Sequence, residues 1–165
     1  MKQARTYGPH DIRVDDVPEP VPGPGEVKVK IAYCGICGSD PEIYEGTFGL
    51  LKEPWWPPAP FTTGHEASGT IVEVGPGVLG DWKVGQRVAM NFRRYCGGCY
   101  YCRNKQEQFC EHITSYEAGF AEYAVYDESC LNLLPDDVSM ERGAMLAPVT
   151  IATLRWRASS SKQTS

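Results

Sequence analysis

Four cysteines fall within fifteen residues: Cys96, Cys99, Cys102 and Cys110, with two, two and seven residues between them. That is metal-ligand spacing. Four thiolates close a tetrahedron around Zn²⁺, and a tetrahedron closed by protein alone is the structural kind of site. Gly97 and Gly98 suit a tight loop that wraps an ion. Hydrophobic neighbours are few (Tyr100, Tyr101, Phe109), so the metal must supply much of the local order. Two disulfides or an iron–sulfur cluster could use the same residues. Seven cysteines in a chain with no sign of secretion weigh toward metal.

A second set is sparser: Cys37, His65 and Glu66. Thiolate, imidazole and carboxylate together form a borderline ligand set that suits Zn²⁺. Three protein ligands leave a fourth position for water or substrate, which is the catalytic arrangement. A metal there stabilises an alkoxide, so an alcohol could lose its proton near neutral pH. Each residue also has a plain reading. A lone cysteine is commonly a small buried hydrophobe, and a lone histidine is more often structural than ligating. Two neighbours add weight. Asp40, three residues after Cys37, is expected to hold the other nitrogen of His65. Ser39 would put a hydroxyl beside the metal, where it can relay a proton.

The elements that must position these groups read mainly as strands. Val27, Val29 and Ile31 alternate with Lys28 and Lys30, a period of two that marks a strand with one wet face. It delivers the chain to Cys37 and Ser39. Before it, Pro18, Pro20, Pro22, Gly23, Pro24 and Gly25 form a stiff loop that cannot be helix. Ser39, Pro41 and Glu42 predict an N-cap and capping box opening a short helix, ended by Gly46. Residues 47–63 are expected to form a long Pro-rich loop, and such loops are often functional. Phe48, Trp55 and Trp56 within it either line a pocket or pack the loop down. Thr70–Val74, Arg87–Met90 and Phe120–Tyr126 read as further strands. Ser139 is expected to cap a helix over 140–156, kinked or split at Pro148. Residues 157–165 end in a polar run and are expected to be disordered. The fold class is therefore mostly β with short helices.

Composition limits the function classes. Of 165 residues, 42% are hydrophobic and 22% charged, which is globular. The net charge of −5 comes without any Lys/Arg cluster, which argues against nucleic acid or an anionic membrane as partner. No apolar run approaches the roughly 20 residues that span a bilayer. Met1–Arg5 carries no apolar stretch of a secretory signal, and the cytoplasm is the expected location.

These residues carry a family resemblance. Gly35-Ile36-Cys37-Gly38-Ser39-Asp40, then Gly64-His65-Glu66, then the four-cysteine lobe resemble the zinc-containing medium-chain dehydrogenases. The Cys-Gly-Ser-Asp form of the first motif and the Pro-rich insert before Gly64 are most similar to sorbitol and 2,3-butanediol dehydrogenases. The resemblance runs over about residues 1–156. It implies a GroES-like domain with a zinc-stapled lobe at 96–110. It implies two zinc ions per chain: a catalytic one on Cys37, His65 and Glu66, and a structural one on Cys96, Cys99, Cys102 and Cys110. It implies that Ser39 passes the alcohol proton toward cofactor ribose and solvent. The reaction would be reversible hydride transfer between a small secondary alcohol or polyol and NAD(P)⁺. A homo-oligomer is compatible with it.

Two departures stand out. The polyol branch carries an acidic residue just before a Pro near the end of this domain, where it approaches the catalytic zinc; here that position is Ala147, before Pro148. Members of the family are also about twice this length. The Rossmann domain that holds NAD or NADP is thus expected to be absent from this chain, which would be inactive until it is supplied. Gly75-Pro76-Gly77-Val78-Leu79-Gly80 fits Gly-x-Gly-x-x-Gly, but the residues after it read as turns and a strand. A dinucleotide fingerprint must open a helix, so this stretch is expected to be a hairpin turn. Two function classes follow. One is the catalytic half of an oxidoreductase. The other is a non-catalytic zinc module that binds a partner. An apolar patch from Met145, Leu146, Ile151 and Leu154 would separate them, since it implies association.

Overall fold

The computed structural model describes residues 1–47 and 59–160. Phe48, Trp55 and Trp56 lie outside the described residues, as do 161–165 and the side chain of Leu154.

The first strands, β1 (Lys2–Gly8) and β2 (Asp11–Asp16), pair antiparallel across a tight turn in which His10 takes φ 59°. The alternating run becomes β3 (Glu26–Gly35), with Val27 and Val29 fully buried. A short helix α1 (Ser39–Glu45) follows, closed by Gly46 in the left-handed region. Next come β4 (Phe61–Thr62), β5 (Glu66–Val74) and β6 (Arg87–Met90). The cysteine lobe hangs between two-residue strands β7 (Arg93–Arg94) and β8 (Thr114–Ser115), with a single helical turn α2 (Tyr100–Arg103) inside it. Strands β9 (Tyr123–Asp127) and β10 (Leu131–Leu133) and helices α3 (Met140–Ala144) and α4 (Leu146–Ser160) complete the chain.

A five-stranded sheet in the order β10-β6-β5-β3-β9 is the centre, and β2-β1-β4 forms a second sheet. The expected mostly β architecture is borne out. The core lies on the central sheet, where Val27, Val29, Ile71, Val88, Met90, Ala124 and Tyr126 pack together. Each large apolar side chain fully buried there contributes about 1.5–3 kcal/mol relative to exposure.

Four local expectations need correction. Ser39 is not the cap of α1 but its first residue; Gly38 holds the cap position with no side-chain hydrogen bond. The strand expected from Phe120 starts at Tyr123, because Phe120 and Ala121 are used instead to tie β1: Phe120 C=O accepts from Ala4 N–H, and Ala121 bridges Gln3. The C-terminal helix is split, but at Met145 rather than at Pro148. Pro148 is the third residue of α4, in the first turn, where a missing N–H costs no intrahelical bond. Finally, α4 runs to Ser160, four residues into the segment expected to be disordered. The Ser139 cap holds as expected, its hydroxyl accepting from Arg142 N–H at 3.3 Å. No helix follows Gly75–Gly80; the chain passes through turns to β6, as the turn reading predicts.

Candidate metal centres and cleft

Antiparallel register brings the open site together. Strand β3 ends where β5 begins, with Cys34 opposite Ala67 and Gly35 opposite Glu66. Cys37, two residues beyond the end of β3, therefore meets His65 and Glu66 at the start of β5. One ligand atom from each of Cys37, His65 and Glu66 lies within 4.8 Å of the others. Two glycines make this approach feasible. A Cβ on Gly35 would stand 2.6 Å from Glu66 Oε2, so a side chain there would push that carboxylate from its present place. Gly64 has φ +92° and lies against Phe120, whose backbone nitrogen a Cβ would meet at 2.7 Å. The 63–64 turn is also pinned by Gly119 N–H donating to Gly64 C=O at 2.8 Å.

Asp40 acts on Cys37 rather than where it was expected. Its Oδ2 accepts from Cys37 N–H at 2.8 Å, and its own N–H donates to Cys37 C=O at 3.0 Å. Its Oδ1 is buried without a hydrogen-bond partner, so the anticipated bond to His65 is not made. Burial pushes the Asp40 carboxyl up; the Cys37 N–H and the nearby His65 charge pull it partly back.

The three candidate ligands face a cleft of about 590 Å³. Ser39 lines it, and so does Ala147 from the first turn of α4. The walls include Ile43, Phe61, Phe92 and Ile151. Helix α3 docks on β5 through the Ser68 hydroxyl, which donates to Met140 C=O at 2.6 Å, and so sets where α4 begins. Phe92 and Arg93 were missed by sequence reasoning. Phe92 packs its ring on that of His65, centroids 4.7 Å apart. The available signal was their place directly between β6 and the first lobe cysteine.

The lobe gathers Cys96, Cys99, Cys102 and Cys110, again with all four sulfurs within 4.8 Å of one another. All seven cysteines are free thiols, so neither disulfide of the alternative reading is formed. Cys96 and Cys102 sulfurs are 3.9 Å apart, close to the edge of about 3.8 Å that a tetrahedron with metal–sulfur bonds near 2.3 Å requires. Backbone N–H groups already point at the sulfurs: Cys96 and His112 N–H at Cys110, and Cys99 N–H at Cys96, each at 3.4 Å. Such donors favour thiolate: the backbone N–H groups of Cys102 and Glu111 hold Cys99 down at about 6, and those of Cys96 and His112 hold Cys110 below its ordinary value. The donor chemistry and spacing of both sets fit a zinc-sized ion. The remaining thiols differ. Cys130 is fully buried and Cys34 packs on the same core, and burial raises them to about 11 and about 12.

A mostly β domain with one closed four-thiolate lobe and one open three-ligand cleft defines the metal-binding domain of a zinc-type dehydrogenase. The chain belongs to the family of the alcohol dehydrogenase GroES-like domain, whose pattern matches residues 23–136. It is 40% identical to (R,R)-butanediol dehydrogenase of Bacillus subtilis over 98% of its length and 48% of that protein. It is 37% identical to sorbitol dehydrogenase of Halalkalibacterium halodurans, over 87% of this chain and 41% of that one. Among solved structures, an alcohol dehydrogenase from Escherichia coli complexed with NADH superposes with a TM-score of 0.80 at 34% identity, over 93% of this chain and 44% of that one. The chain thus spans about half the length of the curated relatives it matches.

Proposed function

We propose that this chain is the metal-binding catalytic domain of a zinc-dependent, NAD(P)-linked dehydrogenase of secondary alcohols or polyols. Cys37, His65 and Glu66 would hold the catalytic zinc, and Cys96, Cys99, Cys102 and Cys110 the structural one. The observation that carries the reading is three unlike ligands converging on one cleft beside the Ser39 hydroxyl. Bound there, zinc supplies a Lewis acid that makes an alcohol proton acidic.

The protein's own groups do the rest. Asp40 fixes the backbone of Cys37 through its N–H and so orients the thiol. Ser39 takes the substrate's hydroxyl proton and passes it toward solvent. Ile43, Phe61 and Phe92 hold the carbon skeleton and exclude water from the reacting carbon. Gly75–Gly80 leads through turns to a strand and so lacks the helix that a dinucleotide fingerprint opens. NAD or NADP would be held by a second domain, in keeping with the NADH-bound relative and with relatives about twice as long. The relatives' names support small diols and sugar alcohols as substrates. Among the described residues no helix is long and apolar enough to cross a membrane.

The test is cobalt(II) substitution, which gives a tetrahedral thiolate site visible absorption bands. Addition of 2,3-butanediol should shift a set of bands that is missing from Cys37→Ser. Bands that ignore the alcohol would contradict the proposal.

A further inference from the structure

The cleft holds one feature that hydride transfer does not use. Among the described residues that line it, Arg93 is the only basic one apart from His65, and it stands at an exposed rim position. Two neighbouring arginines in β7 have opposite fates. Arg94 is engaged outside the cleft, its Nε 3.0 Å from Asp127 Oδ2. Arg93 makes no ion pair among the described residues, and its guanidinium carbon lies 5.0 Å from the centroid of the Phe92 ring. The other face of the comparison is fixed by the same ring, which packs against His65. One aromatic side chain thus links the free guanidinium to a ligand of the open metal set.

The backbone that presents Arg93 is well defined. Its N–H donates to Asn91 Oδ1 at 3.1 Å, Tyr116 N–H donates to Phe92 C=O at 2.7 Å, and Arg93 pairs with Ser115 across the β7–β8 ladder. The Ser115 residue lines the same cleft. A cation held this way, with its donor fork unused, meets the geometric need of a planar or tetrahedral oxyanion.

We propose that Arg93, with Ser115, selects substrates carrying an anionic group, phosphate or carboxylate, a few carbons from the reacting hydroxyl. The proposal rests on the reading of Cys37, His65 and Glu66 as the site where that hydroxyl is held. Glu117 lines the cleft too and works against an anion, so it tunes the preference downward.

The experiment is binding of D-sorbitol, D-sorbitol 6-phosphate and D-gluconate to the zinc-loaded chain, read by calorimetry or chemical-shift titration. The phosphate ester should bind about tenfold or more tighter than sorbitol, as a charge-assisted Arg contact at a partly exposed site allows. Gluconate following suit would assign any single anion, whereas a gain for the ester alone would assign phosphate. Arg93→Gln should abolish the preference, Arg94→Gln should leave it, and Glu117→Gln should enlarge it. Equal binding of neutral and anionic compounds, no binding of the ester, or a preference that survives Arg93→Gln would overturn the proposal. Cys37→Ser tests the underlying reading separately. It should weaken all three compounds by a common factor; binding untouched by it would sink the zinc reading, while the Arg93 ratio is still judged on its own.

Discussion

The two metal-ligand sets differ in how they are built. The lobe takes all four sulfurs from fifteen consecutive residues and surrounds them with its own backbone N–H groups. Between β7 and β8 it has little else; Tyr100 and Phe109 are largely exposed. The cleft takes its ligands from the facing ends of β3 and β5, positions brought together only by sheet register. Its surroundings are a hydrophobic core that folds for its own reasons. On the proposed reading, metal would make the structure in the lobe, whereas at the cleft the structure would make the metal site. The lobe should therefore lose order when its ligands go, and the cleft should lose only its metal.

The largest expected effect breaks that comparison if it fails. Replacing Cys96 or Cys99 by Ser, or stripping metal with a chelator, should remove hydrogen-exchange protection across 95–111, since structural zinc supplies roughly 10–16 kcal/mol in small cysteine sites. Amides of β3, β5 and β6 should stay protected. Cys37→Ser should leave protection unchanged everywhere. A lobe that stays ordered without metal would mean its hydrogen bonds alone are enough.

A smaller effect sharpens the contrast through the thiols themselves. In the lobe, Cys99 and Cys110 sit among donors that favour thiolate, while burial and its neighbouring thiols push Cys102 up to about 12. Outside the lobe, Cys34 and Cys130 are held neutral by burial, at about 12 and about 11. Their folded values lie above the unfolded value of about 8.5. The unfolded chain ionises first as pH rises, so the stability they contribute is complete below that value. It is lost progressively as pH climbs through about 11 to 12. Urea midpoints should fall between pH 8 and 11, with on the order of 2 kcal/mol from Cys130. Cys130→Ala should lower stability at pH 7 and flatten that slope. An unchanged slope would mean other groups carry it.

The smallest effect concerns Ala147, which lines the cleft at the position where the resemblance to polyol dehydrogenases implies an acidic residue. Ala147→Glu should add a carboxylate facing the three ligands and slow zinc loss from the cleft about tenfold, within the range that outer-shell changes produce. The lobe's zinc should leave at an unchanged rate. Competition with a chromophoric chelator separates the two.

Legibility in the sequence follows the same division. The lobe could be read from spacing alone, because a ligand set local in sequence must be local in space. The cleft trio was readable only with help from its resemblance to a family, because His65 lies 28 residues beyond Cys37 and nothing local fixes the distance. Val27, Val29 and Ile31 announced their strand by period, and Arg87–Met90 came out with its bounds intact. Asp40 was assigned to the right site but the wrong partner: a carboxylate beside a helix start can satisfy a nearby N–H more cheaply than a distant imidazole. Pro148 misled because its effect depends on helix phase. In the first turn it is harmless, and where the turn falls was set by α3 docking on Ser68. For Arg93 the sequence offered only its place between β6 and the first lobe cysteine, since whether a rim arginine faces a cleft or an aspartate is decided by the pleat of a two-residue strand. Of the anticipated apolar patch, Met145 and Ile151 are each more than half exposed and Leu146 is half-buried, while the side chain of Leu154 lies outside the described residues.

The central claim is that both sites bind zinc, and metal content per chain tests it most directly, on protein purified without added metal. The account predicts two zinc ions per chain, falling to one in Cys37→Ser with the fold intact. One zinc per chain, lost in Cys96→Ser and unaffected by Cys37→Ser, would contradict it.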